Sequence, residues 1–245
     1  MKEMVDPRAV LSPELLPALE EILSVFRHQL GNSVNALKVT LDVLEQGFDS
    51  FNEDKKKEYL RRASGILERQ QVMVEAMKSY SHTNVNEQKA VDFLPFWEQW
   101  LDAMKARLEG ERVMLTHREE AGPCTLVVDP LALRMALNEL VGNALEAMEG
   151  GKDQRIELRA ARQDDEIQIT IRDYGCGIKE EELSKVLIPL FTTKSGRKGL
   201  GLSIALKLLT QMGGRLEIGP LSEMGTLVKV CLNAGGGEHE KALQD

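Results

Sequence analysis

The sequence predicts an α plus α/β chain, in which a hairpin of two long helices precedes a region of mixed helices and strands. Two observations lead to this prediction. Apolar residues recur at steps of three and four from residue 19 to residue 80, which is typical of helices that pack along one seam. After an unpatterned polar stretch, short alternating runs such as residues 167–172 indicate strands that lie between amphipathic helices.

The hairpin prediction rests on two apolar stripes and the break between them. The first helix is expected to run from Pro13 to about Gln46, and the second to start after the N-cap residue Asn52. The first stripe consists of Leu19, Leu23, Phe26, Leu30, Val34, Leu37, Leu41 and Leu44, and the second of Tyr59, Ala63, Ile66, Gln70, Met73, Met77 and Tyr80. One hairpin buries only one stripe per helix, so we expect a four-helix homodimer. The alternative is that the stripes dock on the C-terminal domain.

The mixed region follows in a regular order. We expect a helix over residues 93–108, strands at 113–116 and 125–128, and a helix that Asp129 and Pro130 open and that ends near Met148. The region continues with two strands at 156–159 and 167–172 and a helix that starts near Ser203. It ends with a hairpin at 216–218 and 226–232. The predicted domains are a helical hairpin over 1–82, a linker over 83–90, an α/β domain over 91–234 and a disordered tail over 235–245.

Composition excludes several classes of function. The net charge of −8 argues against general binding to nucleic acid or anionic lipid. The cysteines at 124, 176 and 231 form no metal-binding pattern and are expected to be free thiols in a reducing cytoplasm. The sequence contains no apolar run of the roughly 18 residues that a membrane span needs. We therefore expect a soluble cytoplasmic chain.

Two glycine-rich segments predict a phosphate-binding pocket. Gly175 and Gly177 follow a predicted strand that ends in Asp173, and Gly199 and Gly201 precede a predicted helix. Glycine allows the backbone to approach a ligand closely, and the N–H groups at a helix N-terminus attract anions. A pair of such segments in one chain is a stronger signal than either segment alone.

These segments carry a family resemblance. Four segments resemble the nucleotide-binding boxes of sensor histidine kinases, namely NELVGNALEA, DYGCGI, PLFTTK and KGLGLS. Sensor histidine kinases belong to the wider group of ATPases that includes gyrase, Hsp90 and MutL. The boxes occur in the family's order across residues 130 to 232. The resemblance implies an α/β sandwich that binds ATP and Mg²⁺ beneath a mobile lid.

The resemblance also assigns roles to residues. It places Asn143 on the Mg²⁺, with Asn138 or Glu139 in support, and makes Asp173 the acceptor for the adenine amino group. Glu139 and Asn143 are four residues apart and share a helix face. The remaining nucleotide-binding residues are expected to be Gly175, Gly177, Thr193, Lys194, Lys198, Gly199, Leu200, Gly201 and Thr226. The lid departs from the family pattern because Arg197 and Lys198 stand where Gly and Thr are usual, so it is expected to be less flexible.

The first helix contains a second resemblance. FRHQLGNSVNAL resembles the phosphoacceptor box of histidine kinases, in which a His is followed by an acidic residue and, at i+4, by Asn or Thr. His28 lies off the apolar stripe, and its imidazole is a good nucleophile near pH 7. Gln29 stands where the family has Asp or Glu, and it cannot carry the charge of a carboxylate. Asn32 matches the position that orients water during dephosphorylation.

The leading hypothesis is a dimeric histidine kinase that phosphorylates His28 and passes the phosphoryl group to an Asp of a response-regulator receiver domain. One alternative is a kinase-deficient scaffold or phosphatase, which Gln29 favours. Another is a mechanical ATPase like gyrase or MutL, which would need a transducer domain after the ATP domain. A serine kinase of the anti-sigma type is disfavoured, because it would lack the helical hairpin. Only 27 residues precede His28, so a separate sensor protein or a longer chain would deliver the signal.

Overall fold

The structure is a computed structural model, and it describes residues 15–151, 154–194, 197–221 and 224–235, without the side chains of residues 15–23, 25 and 29. The described chain forms two compact units. The first holds the residues up to Ser79 together with Ile188–Lys198, and the second holds Tyr80–Leu187 and the residues from Gly199 onward. The predicted helix start at Pro13 and residues 236–245 of the predicted tail lie outside the described residues. Gly235, predicted to begin the disordered tail, is instead the last residue of a strand and pairs with Thr125.

The first unit contains the two long helices that the sequence predicts. Helix α1 spans Leu15–Gln46 and helix α2 spans Glu53–His82. The Asn52 side chain accepts a hydrogen bond of 2.9 Å from the backbone N–H of Lys55, which confirms its role as the N-cap of α2. In the turn between the helices, the Phe51 ring stacks on Tyr59 with a centroid separation of 5.6 Å. Among the described residues, the side chains that the two helices bury are Thr40, Leu44, Ala63, Ile66 and Ala76.

The second unit is a mixed sheet with three helices. Its elements are β1 Lys89–Asp92, α3 Phe93–Gly110, β2 Met114–Glu120, β3 Thr125–Val128, α4 Pro130–Met148, β4 Arg155–Gln163, β5 Glu166–Asp173, α5 Gly201–Gln211, β6 Arg215–Pro220 and β7 Thr226–Gly235. The strand order is β1-β3-β7-β5-β4-β2, and β6 also pairs with β7. All neighbours are antiparallel except β2 and β4, which are parallel.

The core of the second unit lies between one face of this sheet and the helices. Along β5, Ile167, Ile169 and Ile171 are buried while the residues between them are half-buried, as the predicted alternation requires. Helix α4 packs on β5 and on α5, and α5 packs on β6. The ring centroids of Trp97 and Trp100 on α3 lie 5.1 Å apart in this core. The predicted α/β sandwich after a helical hairpin is therefore confirmed.

The polar stretch before β1 differs from the predicted linker over residues 83–90. Strand β1 already begins at Lys89, which pairs with Val128 of β3. Upstream of it, the backbone N–H of Val85 donates to the Gln211 side chain and that of Asn86 to Asp129, each over 2.9 Å. The sequence pattern missed this order because backbone N–H groups make these bonds, and they leave no trace in the side-chain pattern.

Candidate nucleotide site and phosphoacceptor histidine

The candidate nucleotide site begins where β5 ends and β7 starts. Asp173 and Thr226 are register partners at this point, and their exposed fractions are only 4% and 5%. A buried carboxylate needs hydrogen-bond partners, and Asp173 accepts one of 2.9 Å from the backbone N–H of Gly175. The pairing of the two strands therefore brings together two of the side chains that the resemblance assigns to adenine binding.

The turn after β5 is held against helix α4. The backbone N–H of Cys176 donates to the carbonyl oxygen of Ala147 over 2.9 Å, and a Cβ at residue 175 would lie only 2.4 Å from that oxygen. Residue 175 must therefore be glycine for the turn to pass this close to the helix. Gly177 lies against the backbone of Gly225, the residue directly before Thr226, since a Cβ at residue 177 would lie 3.3 Å from the Gly225 carbonyl oxygen.

Helix α4 contributes two polar side chains that meet the start of α5. A Cβ at residue 201 would lie 2.8 Å from Asn143 Nδ2 and 3.0 Å from Glu139 Oε2. Burial, with a further contribution from Glu146, raises the pKa of Glu139, whereas Arg107 lowers it. Asn143 Nδ2 is buried and has no hydrogen-bond partner within the part of the chain that the structure describes. Such an orphaned group is expected where a ligand completes the site.

Asn138, the alternative support for Asn143, points in a different direction. Its Oδ1 accepts a hydrogen bond of 2.9 Å from Trp100 Nε1 on helix α3. Consecutive positions on a helix differ by about 100° in direction, so residues 138 and 139 serve different neighbours. Of the two predicted supports, Glu139 is the one that the structure places beside Asn143 and Gly201.

The loop before α5 supplies the last part of the site in the second unit. Gly199 has a φ of 64°, and the buried Leu200 precedes the first turn of the helix. The carbonyl of Leu200 accepts bonds of 2.8 Å from the hydroxyl of Ser203 and from the N–H of Ile204. These bonds form the first turn of α5, in which Gly201 lies next to Glu139 and Asn143.

Thr193, Lys194 and Lys198 belong to the first unit, within the segment Ile188–Lys198. Thr193 and Lys198 are exposed. The neighbouring Thr192 makes the local turn, because its hydroxyl oxygen accepts a bond of 3.1 Å from the N–H of Lys194. The second unit therefore contains the other predicted nucleotide-binding residues without these three.

The candidate phosphoacceptor and its neighbour lie on one face of α1. His28 and Asn32 are both exposed, and Asn32 Nδ2 lies 3.3 Å from His28 Nδ1. Positions four apart on a helix are neighbours, which explains the contact. The side chain of Gln29 lies outside the described residues.

A cluster around Tyr174 is the functional feature that sequence reasoning missed. The Tyr174 hydroxyl donates to Glu157 Oε1 over 2.5 Å, and the guanidinium groups of Arg155 and Arg172 lie 3.8 and 4.6 Å from the ring centroid. Burial, followed by the carboxylate of Glu157, raises the pKa of Tyr174. The cluster anchors the residue directly after Asp173. The sequence offers one signal for this cluster, the opposite charges of Glu157 and Arg172. These two residues are recognisable as neighbours only when the pairing of β4 with β5 is known.

The donor set fits Mg²⁺ held together with phosphate. Within the described ranges, no group of three or more His, Cys, Asp or Glu side chains is arranged to hold a metal by itself. Magnesium usually takes one or two protein oxygens and completes its shell with substrate phosphates and water. The Asn143 and Glu139 oxygens at the N-terminus of α5 suit that role, and the Asn143 amide can in addition donate to a phosphate oxygen.

None of the helices in the described ranges combines the length and apolar character that a membrane span requires.

Comparison with known families agrees with this geometry. Residues 128–236 match the family model described as histidine kinase-, DNA gyrase B- and HSP90-like ATPase. The chain is 28% identical over 223 residues to the C4-dicarboxylate transport sensor protein DctB of Pseudomonas aeruginosa, which covers 90% of this chain and 36% of that protein. The chain thus spans about a third of the length of this curated relative.

Two solved structures share the fold. The histidine kinase ThkA in complex with the response regulator protein TrrA superposes with a TM-score of 0.60 at 19% identity, over 91% of this chain and 64% of that one. Full-length ShkA in complex with AMPPNP superposes with a TM-score of 0.56 at 17% identity, over 89% of this chain and 46% of that one.

Proposed function

We propose that this chain is a histidine kinase that uses ATP and Mg²⁺ to phosphorylate His28, since residues 128–236 match the family model described as histidine kinase-, DNA gyrase B- and HSP90-like ATPase. The observation that carries the proposal is the meeting of Glu139, Asn143 and Gly201 at the N-terminus of α5. A helix N-terminus carries partial positive charge and attracts phosphate, and the two oxygen-bearing side chains beside it suit the accompanying cation.

The nucleotide would be recognised at both of its ends. The carboxylate of Asp173 accepts one N–H from Gly175 and has the acceptor capacity to take a second from the adenine amino group. The hydroxyl of Thr226, its register partner, assists at the same end. At the phosphate end, Asn143 and Glu139 would hold Mg²⁺, which neutralises phosphate charge. Thr193, Lys194 and Lys198 are assigned to the lid.

Phosphoryl transfer requires an exposed nucleophile on the hairpin, and His28 meets that condition. Its imidazole would attack the γ-phosphorus of ATP, and ADP would leave with the electrons of the broken P–O bond. Because Gln29 cannot stabilise the developing ring charge as a carboxylate does, we expect slow transfer.

We propose that the chain acts as a homodimer. In the first unit, Val34 and Leu41 on α1 are exposed seven residues apart, and the exposed Phe48 continues this spacing into the turn after the helix. On α2, Leu60, Leu67 and Val74 are exposed at the same spacing. Apolar rows with a heptad spacing are typical of helices that pack against further helices. A second hairpin would cover both rows and complete a four-helix bundle.

The partner that we propose for the phosphoryl group is an Asp of a response-regulator receiver domain. The support is the structural neighbour ThkA, whose structure was solved in complex with a response regulator protein. We further propose that the units act as a phosphoacceptor and dimerisation domain up to about residue 82 and an ATP-binding domain from about residue 91. The signal would come from a separate sensor protein or from another part of a longer chain.

The decisive experiment is incubation with γ-labelled ATP and Mg²⁺, followed by acid and alkali treatment. Label on a histidine is lost in acid and retained in alkali, whereas label on a serine is retained in acid. We expect slow labelling that His28→Ala abolishes and that Gln29→Glu increases, since general-base assistance is typically worth about 10²–10⁴-fold. His117→Ala, at an exposed histidine on β2, is the matched control and should label normally. Label that persists in His28→Ala would remove His28 from the mechanism.

A second candidate function is dephosphorylation of the regulator without kinase activity. Gln29 and the contact between Asn32 and His28 favour it, because the Asn32 amide lies where a water could be oriented beside the ring. In this case the protein would not label, but it would remove phosphate from an acyl-phosphorylated regulator. Asn32→Ala should abolish that activity, whereas Gln29→Ala should leave it in place.

A further inference from the structure

Tyr174 directly follows Asp173, and the alternation of strand β5 places the two side chains on opposite faces of the sheet. Asp173 lies on the inner face, which packs on the helices, because it continues the buried row of β5 and is itself only 4% exposed. Tyr174 continues the half-buried row that includes Arg172, on the outer face. An aromatic side chain therefore lies directly behind the carboxylate that is assigned to adenine.

The Tyr174 side chain contacts three residues of β4 and β5 on the outer face. Its hydroxyl donates a hydrogen bond of 2.5 Å to Glu157 Oε1, and bonds to a charged acceptor are about twice as strong as bonds between neutral groups. The guanidinium carbons of Arg155 and Arg172 lie 3.8 and 4.6 Å from the ring centroid, within the range of cation–π attraction. Both the ring and the hydroxyl of the tyrosine are therefore held.

The backbone after Asp173 leaves the sheet. Strand pairing with β4 and with β7 ends at Asp173, and on the inner face the turn is tied to α4 by the N–H of Cys176, which donates to the carbonyl of Ala147. Gly175 lies between these points, and glycine gives the backbone more freedom than any other residue. This backbone also determines where the Asp173 carboxylate points, because Oδ1 accepts the N–H of Gly175. An anchor at Tyr174 restricts the one residue that lies between the two.

We infer that Tyr174 is a positioning residue for nucleotide recognition, an inference that rests on the proposed binding of adenine by Asp173. The contacts of Tyr174 on the outer face fix the backbone that directs the Asp173 carboxylate on the inner face. The carboxylate then meets the adenine amino group without first losing conformational freedom, so the nucleotide binds more tightly. Tyr174 itself does not touch the nucleotide and acts through Asp173.

This role limits the effect of Tyr174 to one chemical group of the nucleotide. A loosened turn weakens recognition of the adenine amino group, but the triphosphate is assigned to Asn143, Glu139 and the start of α5 and stays in place. A cluster that only stabilised the fold would instead affect every nucleotide alike. The two roles are therefore separated by a nucleotide that lacks the amino group.

The first test compares Mg-ATP with purine riboside triphosphate, which has a hydrogen where adenine has the amino group. In calorimetry of the full chain, the wild type should bind ATP at least about tenfold more tightly than the analogue. Tyr174→Phe keeps the ring and removes only the hydroxyl. It should bind ATP about three- to tenfold more weakly than the wild type, and the analogue within about twofold of the wild type. Equal losses for both nucleotides, or no loss for either, would overturn the inference.

Two further positions supply the controls. Glu157→Gln keeps an oxygen that accepts from the Tyr174 hydroxyl, so it should lose less ATP affinity than Glu157→Ala. Glu120→Gln weakens a different ion pair of the outer face, in which Arg159 Nε lies 2.8 Å from Glu120 Oε2, and it should bind both nucleotides as the wild type does. A loss of ATP affinity in Glu120→Gln as large as that in Tyr174→Phe would show that the charge of the whole face matters and not Tyr174.

A double-mutant cycle tests whether Tyr174 acts through Asp173. In the Asp173→Asn background, the added Tyr174→Phe should weaken ATP binding by less than about twofold, because the group that Tyr174 positions is already lost. Independent action would multiply the two losses and would contradict the role of Tyr174. The failure of the proposed function gives a different result: a wild type that binds ATP and the analogue equally would contradict adenine binding by Asp173. A preference for ATP that survives Tyr174→Phe would contradict only the positioning role.

The last test observes the turn itself, in the full chain without nucleotide. The hydrogen-exchange rate of the Gly175 N–H, measured by NMR, reports how often its bond to Asp173 Oδ1 opens. Tyr174→Phe should raise this rate at least about threefold, whereas Glu120→Gln should leave it as in the wild type. An unchanged rate in Tyr174→Phe would show that the turn does not depend on the tyrosine hydroxyl, and would overturn the inference.

Discussion

Gly201 lies so close to Asn143 that a Cβ on residue 201 would be 2.8 Å from the amide nitrogen of Asn143. The same Cβ would be 3.0 Å from the Glu139 carboxylate, so one small residue keeps two polar side chains against the start of α5. This relationship joins a glycine-rich segment to a helix that lies about 60 positions earlier in the sequence.

Gly201→Ala should therefore weaken nucleotide binding without unfolding the protein. The atoms that the new methyl group meets are the ends of flexible side chains, which can turn aside, but these are the side chains assigned to Mg²⁺ and phosphate. Loss of one charge-assisted contact costs about 1.5–3 kcal/mol, so Mg-ATP should bind about tenfold more weakly or worse in calorimetry. Gly219→Ala, in β6, is the control, because its Cβ would meet nothing within 4 Å. Equal weakening in both variants would count against the assignment.

Asp173→Asn should weaken ATP binding at least about tenfold, because a carboxylate bond to the adenine amino group is worth roughly 1.5–3 kcal/mol. GTP should bind poorly to the wild type, since guanine has a carbonyl where adenine has this amino group. Calorimetry with both nucleotides measures the effect, and a thermal melt of each protein separates it from unfolding. The assignment would fail if the variant bound ATP as the wild type does, or if GTP matched ATP.

Leu67→Gln should convert a dimer into a monomer. Leu67 is 50% exposed in the single chain and belongs to the α2 row with Leu60 and Val74. Burial of a leucine is worth about 1.5–3 kcal/mol, and both copies lose it, so dissociation should become at least about a hundredfold easier. Sedimentation or light scattering at micromolar concentration measures this change. Glu68→Gln, at the adjacent exposed position, should remain dimeric, and a monomeric wild type would contradict the proposed bundle.

The environment of Asp129 leads us to expect that the folded protein loses stability in acid. Burial alone would raise the pKa of Asp129, but the backbone N–H groups of Asn86, Ala132, Leu131 and Glu87 outweigh it, so the pKa lies below its ordinary value of 3.8. A depressed pKa stabilises the folded state above pH 3.8, and that contribution is lost as the pH falls through the lower folded value. Asn can still cap α4, but Asp129→Asn should cost about 1–2 kcal/mol at pH 7.

Denaturant unfolding from pH 7 to pH 3 measures the effect of Asp129. The free energies of unfolding of the wild type and Asp129→Asn should converge as the pH falls, because protonation removes the charge that distinguishes them. A difference that stayed constant across this range would show that the charge of Asp129 is not what stabilises the fold.

Two tryptophans in the core provide a matched pair. Trp100 Nε1 donates to Asn138, whereas Trp97 Nε1 is buried without a hydrogen-bond partner in the described chain. Substitution by Phe removes a similar volume at both positions, but only Trp100→Phe leaves the Asn138 oxygen unsatisfied. Trp100→Phe should therefore be more destabilising than Trp97→Phe by about 1–3 kcal/mol in denaturant unfolding. Equal losses would show that the bond to Asn138 contributes little to stability.

The sequence was sufficient for the predictions that depend on local pattern. The two helices of the hairpin follow from apolar steps of three and four, and the cap at Asn52 follows from its residue type. Strand β5 follows from strict alternation, and the segments around Gly175 and Gly201 follow from composition and spacing. Each of these signals lies within about ten residues of chain, where side-chain periodicity and backbone conformation determine one another.

Only the tertiary structure decided which residues meet across the chain. It separated Glu139 from Asn138, since one faces Gly201 and the other bonds to Trp100. It replaced the end of the predicted linker by strand β1, and it revealed the cluster that holds Tyr174 behind Asp173. Strand register, helix packing and backbone hydrogen bonds determine these contacts. They depend on pairs of residues far apart in sequence, so no pattern along a single segment specifies them.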